Sequence, residues 1–327
     1  MSTVTRRPLK LIIQIPCFNE EATLPSTLAD LPRHVDGIDI VEWLVIDDGS
    51  SDRTVEVARE LGVDHVVQHS RNRGLAAAFM TGLDAALLAG ADVIVNTDAD
   101  NQYVGDCISD LVQPVLQGID LVVGERPIEQ ISEFSGLKKR LQRLGSWVVR
   151  RLSGTDVRDA ASGFRAMSRE AALRFQVFGK YSYTMETLVQ SKAEGLNVVG
   201  VPIRVNPHTR PSRLAKNMWQ YLRRSGSTIV RSFAIYYPFR FFFLVGLLPF
   251  IIGVALLARW GAYWIFADTY RSRIPSLVIG SVLVLVAAQV WLVAFLADLQ
   301  AASRRLLADA RMRERRAAFS PPGDSQL

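Results

Sequence analysis

The sequence predicts an α/β fold: a mostly parallel, Rossmann-like sheet with helices on both faces, followed by interfacial helices and two transmembrane helices. Three observations carry this expectation. Short runs rich in Ile and Val alternate with segments of helical length, polar clusters follow the ends of those runs, and two long stretches near the C-terminus are almost free of charge.

Lys10 to Ile15 is a largely apolar run ended by Pro16, the pattern of a strand buried on both faces. A helix is expected from Glu20 to Leu31. The alternation continues with Glu42 to Ile46 as strand, Asp52 to Leu61 as helix, His65 to Gln68 as strand, Leu75 to Leu88 as helix and Val93 to Thr97 as strand, with another strand at Leu121 to Val123. Strands alternating with helices of this length need crossover connections, and crossovers make a parallel sheet.

The stretches Phe241 to Ala258 and Ile274 to Ala297 each reach the roughly 18 to 20 apolar residues that cross about 30 Å of hydrocarbon as a helix. Arg223, Arg224, Arg231 and Arg240 precede the first, and Arg304, Arg305, Arg311, Arg313, Arg315 and Arg316 follow the second. The segment between them holds Arg271 and Arg273 with Asp268, besides Arg259 at the end of the first stretch. Positive flanks stay inside, so both termini and the soluble part are expected in the cytoplasm of a multi-pass plasma-membrane protein. Trp260, Tyr263, Trp264 and Tyr270 fall where an aromatic belt belongs at the far interface, and neighbouring helices can satisfy the carbonyl freed by Pro249. The N-terminus has a basic start but no long apolar core and no small-residue cleavage site, unlike a signal peptide. Cys17 and Cys107 are too few for a disulfide framework, which fits a reducing compartment. The net charge of +6 comes partly from the membrane flanks and points to anionic lipid, with no nucleic acid partner expected.

In open α/β sheets ligands bind beyond the carboxyl ends of the strands. Pro16-Cys17-Phe18-Asn19-Glu20 follows the first strand, Asp47-Asp48-Gly49-Ser50-Ser51-Asp52 the second, and Asp98-Ala99-Asp100-Asn101-Gln102 the fourth. Asp-Gly-Ser alone is a common turn, and Ser51 or Asp52 could cap a helix. The joint placement of all three clusters favours a site. Asp98 and Asp100 are one residue apart, so in an extended segment both carboxylates and the Gln102 amide project to one side. That is a hard-oxygen platform for Mg²⁺ or Mn²⁺, ions commonly held by one or two carboxylates together with substrate phosphates.

The succession PCFNEE, DDGSSD and NTDADNQ resembles family 2 glycosyltransferases with the A-type nucleotide-sugar fold. DAASGFR and HTRPSRL, followed by two spans, resemble the branch of dolichol-phosphate mannose synthases and bacterial polyprenyl-phosphate glycosyltransferases. The resemblance runs from about Leu9 to Leu299. It implies inverting transfer of a sugar from a UDP- or GDP-linked donor to a polyprenyl phosphate for cell-envelope glycan or glycoconjugate synthesis, with dimers or tetramers formed through the spans. By the same resemblance Pro16, Asn19 and Glu20 line the nucleoside pocket, Asp47 and Asp48 contact base or ribose, and Ala99 belongs to the donor site. Asp98, Asp100 and Gln102 hold the metal, Arg126 binds phosphate, and Asp159 lies near the acceptor, with Ser162 to Arg165 on the same wall. Arg210, Ser212 and Arg213 take the place of the loop that closes over the donor, where the mannose synthases have Gly-x-Ser-Lys. Pro211 and Arg213 depart from that pattern, and a guanidinium grips a diphosphate differently from an ammonium.

A basic segment from Leu137 to Trp147 puts Lys139, Arg143 and Trp147 on one helical face, suited to a membrane surface and a lipid phosphate or, more simply, to solvent. The expected division is a catalytic domain over 1–213 with a basic amphipathic insert at 133–153, an interfacial helix over 214–238, two spans over 239–300 and a basic cytosolic tail over 301–327. No Ser-His-Asp set is evident among His34, His65, His69 and His208, and a phosphate acceptor, with a second pKa near 6, needs none. Two other readings are a processive polysaccharide synthase, whose Gln-x-x-Arg-Trp motif is missing, and a catalytically silent nucleotide-sugar-binding membrane scaffold.

Overall fold

The structure is a computed structural model that describes residues 7–127, 147, 150, 154–177, 183–206, 226, 227, 230, 231, 233–266 and 274–319. Two compact units divide the chain: Met1–Ile229 with Arg311–Leu327, and Val230–Ala310.

In the first unit the described residues form a sheet in the order β3-β2-β1-β4-β6-β5-β7. β1 (Lys10–Cys17) pairs in parallel with β2 (Ile40–Asp47) and β4 (Val93–Asn96), and β3 (His65–Gln68) pairs in parallel with β2. β6 (Arg165–Ser168) inserts antiparallel between β4 and β5 (Leu121–Glu125), and β7 (Val198–Pro202) closes the far edge parallel to β5. Both faces are covered. Leu11, Ile13 and Ile15 pack with α1 (Leu24–Asp30), α2 (Thr54–Glu60) and α4 (Cys107–Leu116). Ile12 packs on the other face with α3 (Leu75–Leu88), α5 (Arg169–Arg174) and α6 (Thr184–Ala193). This two-sided burial is why β1 reads as a largely apolar run, broken only by the buried Gln14, rather than an alternating one.

Several boundaries differ from expectation by one to two residues, as in β2, α2, β4 and β5, and three further differences have a physical reason. β1 continues through Pro16 and Cys17, opposite Ile46 and Asp47 of β2; β4 has already ended opposite Gln14, so the proline's missing donor falls where β1 has one neighbour. α1 begins at Leu24 rather than Glu20, because Pro25 favours the first turn and the Glu20 carbonyl instead closes a turn with the Thr23 and Leu24 amides. The helix that contains the second apolar stretch, α8 (Ile274–Phe319), does not end near residue 300. Its last turns belong to the first unit, where Arg315 donates to the Leu173 carbonyl at 2.8 Å and pairs with Asp84, and Arg316 pairs with Glu170. Arg169 donates to the Phe319 carbonyl at 2.6 Å, and Met312 and Phe319 pack on the α3–α5 side of the core.

In the second unit α7 (Pro238–Phe266) and α8 are both long and apolar enough to cross a membrane. They meet through small residues. A Cβ on Gly253 would lie 2.9 Å from the Gly280 carbonyl oxygen, and one on Gly246 would lie 2.6 Å from Trp291 Nε1. That indole donates to the Phe243 carbonyl at 3.2 Å.

Candidate active site

The three polar clusters lie at the carboxyl ends of β1, β2 and β4, and the first two are stitched together. Asn19 leaves β1 in the left-handed region at φ 55°, which an Asn tolerates. Its amide donates to Ser50 Oγ at 2.8 Å, and its side-chain oxygen accepts from the Ser51 amide at 2.8 Å. The Glu20 amide donates to Thr54 Oγ1 at 2.9 Å, and its carboxylate accepts from Thr23 Oγ1 at 2.6 Å.

Asp47 is fully buried, with the Ser50 amide donating to it at 3.2 Å. Asp48 is buried and heavily engaged. It pairs with His69 Nδ1 at 2.7 Å and accepts from the Arg73 and Gly74 amides, each at 2.8 Å, while His69 Nε2 meets Thr81 Oγ1 at 3.0 Å. Gly49 sits at φ 74°, and a Cβ there would come within 2.6 Å of the Arg71 backbone. The two carboxylates therefore organise the loops after β2 and β3. His69 in this network escaped the sequence reading, where only its place at the end of a strand marked it. Pro16 and Ala99 are also buried, and the Ala99 carbonyl accepts from Thr27 Oγ1 at 3.0 Å.

The segment from Asp98 to Gln102 is not extended. It is a turn with Asn101 at φ 54°, closed by the Gln102 amide donating to Asp100 Oδ1 at 3.2 Å. Asn206 holds the turn from outside, its amide donating to the Gln102 carbonyl at 2.8 Å and its side chain to the Asn101 carbonyl at 3.1 Å. Turn geometry, not strand alternation, thus places the Asp98 and Asp100 carboxylates. Beneath it runs a buried amide relay: Gln14 donates to Asn96 Oδ1 at 2.8 Å, and Asn96 donates to the Gly163 carbonyl at 2.9 Å and the Tyr183 hydroxyl at 2.8 Å.

Arg126, at the end of β5, pairs with Asp159, Nε to Oδ2 at 2.6 Å and Nη2 to Oδ1 at 3.1 Å, and its Nη1 reaches Gln102 Oε1 at 3.4 Å. Asp159 itself is fully buried. The Asp159 to Ser162 loop is braced by Arg165, a buried side chain on β6 that donates to the Ser162 carbonyl at 2.9 Å, the Ala160 carbonyl at 3.1 Å and Thr187 Oγ1 at 2.6 Å. Gly163 leaves the room Asp98 needs, because a Cβ there would lie 3.1 Å from both of its carboxylate oxygens.

The electrostatics follow from this crowding. Burial, and Asp100 beside it, push the Asp98 carboxyl up to about 7, although Arg126 nearby opposes the shift. Burial works against the charge on the Arg126 guanidinium, but Asp159, with Tyr103 and Asp98 adding to the effect, outweighs it and holds the group charged. Among the described residues no group of three or more His, Cys, Asp or Glu side chains is placed to hold a metal unaided. Two crowded carboxylates with an amide oxygen suit a hard divalent cation that takes its remaining ligands from phosphate and water. Of the residues named from sequence, Lys139, Arg143, Arg210, Ser212 and Arg213 lie outside the described residues.

A mixed but mainly parallel sheet with an Asp-x-Asp turn at its carboxyl edge is the architecture of an A-type glycosyltransferase. The chain belongs to glycosyl transferase family 2, whose model matches residues 12–175. It is 33% identical over 214 residues to the UDP-N-acetylglucosamine–dolichyl-phosphate N-acetylglucosaminyltransferase of Methanococcus voltae, covering 58% of this chain and 83% of the relative. Over 211 residues it is 29% identical to the polyprenol monophosphomannose synthase of Mycolicibacterium smegmatis, covering 61% and 78%. Glucosyl-3-phosphoglycerate synthase from Mycobacterium tuberculosis, solved with Mn²⁺, UDP and its glucosylated product, shares the fold with a TM-score of 0.54 at 22% identity, over 70% of this chain and 80% of that one. The protein is a glycosyltransferase.

Proposed function

We propose that the protein transfers a sugar, with inversion, from a nucleoside diphosphate donor to a polyprenyl phosphate at the cytosolic face of the plasma membrane. The carrying observation is the meeting of Asp98 and Asp100 with the Arg126–Asp159 pair at one sheet edge, in a chain whose relatives are named as dolichyl- and polyprenyl-phosphate sugar transferases.

Pro16, Asn19, Glu20 and the loops organised by Asp47 and Asp48 form the nucleoside wall. Asp98, Asp100 and Gln102 hold Mg²⁺ or Mn²⁺, which, when bound, supplies positive charge against the diphosphate leaving group. The crowding of the two carboxylates supports this reading, because a cation relieves the repulsion that raises Asp98. Arg126, fixed in direction by Asp159, offers a permanent charge to phosphate without having to reorient during the reaction. Both Asp159 oxygens bond that guanidinium, so Asp159 acts as a positioning residue rather than a proton acceptor. No base is required, because a phosphate monoester near neutral pH is mostly the dianion. The protein has to align it behind the anomeric carbon, and one displacement there inverts the centre. Lys139 and Arg143 would meet the lipid phosphate, and Arg210, Ser212 and Arg213 would close over the donor.

The test incubates detergent-solubilised protein with Mg²⁺ or Mn²⁺, undecaprenyl phosphate and a panel of radiolabelled UDP- and GDP-sugars. Label entering the organic phase for one donor supports the reading and names the sugar. Free sugar or polymer with an empty organic phase contradicts it.

A further inference from the structure

The second unit contains a cavity of about 660 Å³, lined by none of the residues placed in the active site. Its lining is graded. Phe242 of α7 with Val293 and Ala297 of α8 make an apolar part, whereas Gln300 and Arg304 of α8, together with Arg231, make a polar part. Along α8, Val293, Ala297, Gln300 and Arg304 follow at steps of four, three and four residues, the spacing of one helical face. That face runs from hydrocarbon-like to cationic within about 16 Å of helix axis. Arg304 is oriented there by a bond from Nη2 to the Ile235 carbonyl at 3.0 Å. Its guanidinium and that of Arg231 thus come from separate helical segments to one cavity.

We propose that this groove is a binding site for an anionic two-chain phospholipid of the surrounding bilayer. A free phosphate would leave the apolar part unfilled, and a neutral hydrocarbon would leave two guanidiniums uncompensated. An amphiphile with a phosphate satisfies both. The phosphate lies between Arg231 and Arg304, and the chains run along Phe242, Val293 and Ala297. Gln300 selects the class. It lies one turn below Arg304 and one turn above the apolar wall, at the depth where a glycerophospholipid carries ester carbonyls that an amide N–H can bond. A prenyl phosphate has no oxygen at that depth. Basic residues at the cytosolic end of a span face the leaflet in which anionic lipids concentrate, so the site is met by abundant ligand.

The proposal rests on α7 and α8 spanning the membrane, so the experiment has two readouts. Membranes carrying the full chain are first washed with alkaline carbonate: the chain must stay in the pellet, and its release would overturn the spanning reading and this one with it. Detergent-purified protein is then examined by native mass spectrometry with dioleoyl phosphatidylglycerol, dioleoyl phosphatidylcholine or undecaprenyl phosphate. The expected result is one retained phosphatidylglycerol, no retained phosphatidylcholine, about tenfold weaker retention in R231Q/R304Q and near-normal retention in R231K/R304K. Q300L weakens phosphatidylglycerol while leaving undecaprenyl phosphate unchanged. Equal retention of phosphatidylcholine, unchanged retention in R231Q/R304Q, or displacement of phosphatidylglycerol by equimolar undecaprenyl phosphate would overturn the proposal. Donor hydrolysis by the variants, expected at the wild-type rate, checks that the catalytic unit is folded.

Discussion

Arg126 clamps Asp159 through two hydrogen bonds, at 2.6 and 3.1 Å. Asp159 is fully buried, so removing its charge leaves Arg126 uncompensated in a poorly solvated place. Asp159→Asn is expected to lower kcat by about 100-fold, the scale of one misplaced electrostatic group, with a smaller change in donor KM. Single-turnover transfer to lipid measures the first, and donor titration the second.

The Asp98 carboxyl, raised to about 7, gives the metal dependence a definite sign. A cation at this site displaces the proton, so apparent Mn²⁺ affinity should fall about tenfold per pH unit below 7 and level off above it. Without metal the linkage runs the other way. A carboxyl raised above its unfolded value of about 3.9 favours the folded state at acid pH, and that contribution is lost as pH rises from about 4 through 7. Mn²⁺ titration followed by electron paramagnetic resonance, and thermal melts with and without Mn²⁺ across pH 5 to 8, check both directions.

Gly163→Ala would press a methyl group within 3.1 Å of the Asp98 oxygens and 2.9 Å of the Tyr183 hydroxyl. The strain expected from overpacking is about 1–3 kcal/mol. Part of it should appear as a displaced Asp98 and weaker Mn²⁺ binding, with nucleotide binding in the absence of metal little changed. Isothermal titration of each ligand separates the two effects.

Arg315 bonds the Leu173 carbonyl and pairs with Asp84 from the last turns of α8. Arg315→Ala is expected to destabilise the catalytic unit by about 1–3 kcal/mol, because buried carbonyl bonding is lost along with the ion pair. Arg316→Ala should cost well under 1 kcal/mol, since its side chain is 56% exposed and its pair with Glu170 is screened by solvent. Chemical denaturation monitored by tryptophan fluorescence compares the two.

The legibility of this chain followed the range of the interactions involved. β1 announced itself because a strand covered on both faces is apolar at most successive positions, and the Asp98-x-Asp100 spacing marked a candidate ligand platform whatever its backbone. β6 was invisible: Arg-Ala-Met-Ser has no strand pattern, and it becomes one only because β4 and β5 offer ladders on either side. The Arg126–Asp159 bond joins residues 33 apart in the chain, and local pattern carries no trace of such pairing. For Asp47 and Asp48 the loop-tying role was not legible, since a buried carboxylate that ties two loops looks in sequence like one that meets a ligand. The continuation of α8 past residue 300 was hidden for the opposite reason. Its basic residues resemble a solvated tail until Asp84 and Glu170 are brought opposite them.

The most direct test of the central claim is transfer of radiolabelled sugar to undecaprenyl phosphate by wild-type protein and by Asp100→Ala, counted in the organic phase. Label that requires Mg²⁺ or Mn²⁺ with the wild type, and falls at least 100-fold in the variant, is the result this account predicts. Transfer that persists at the wild-type rate in Asp100→Ala, or a wild-type enzyme that consumes donor while the organic phase stays empty, would contradict it.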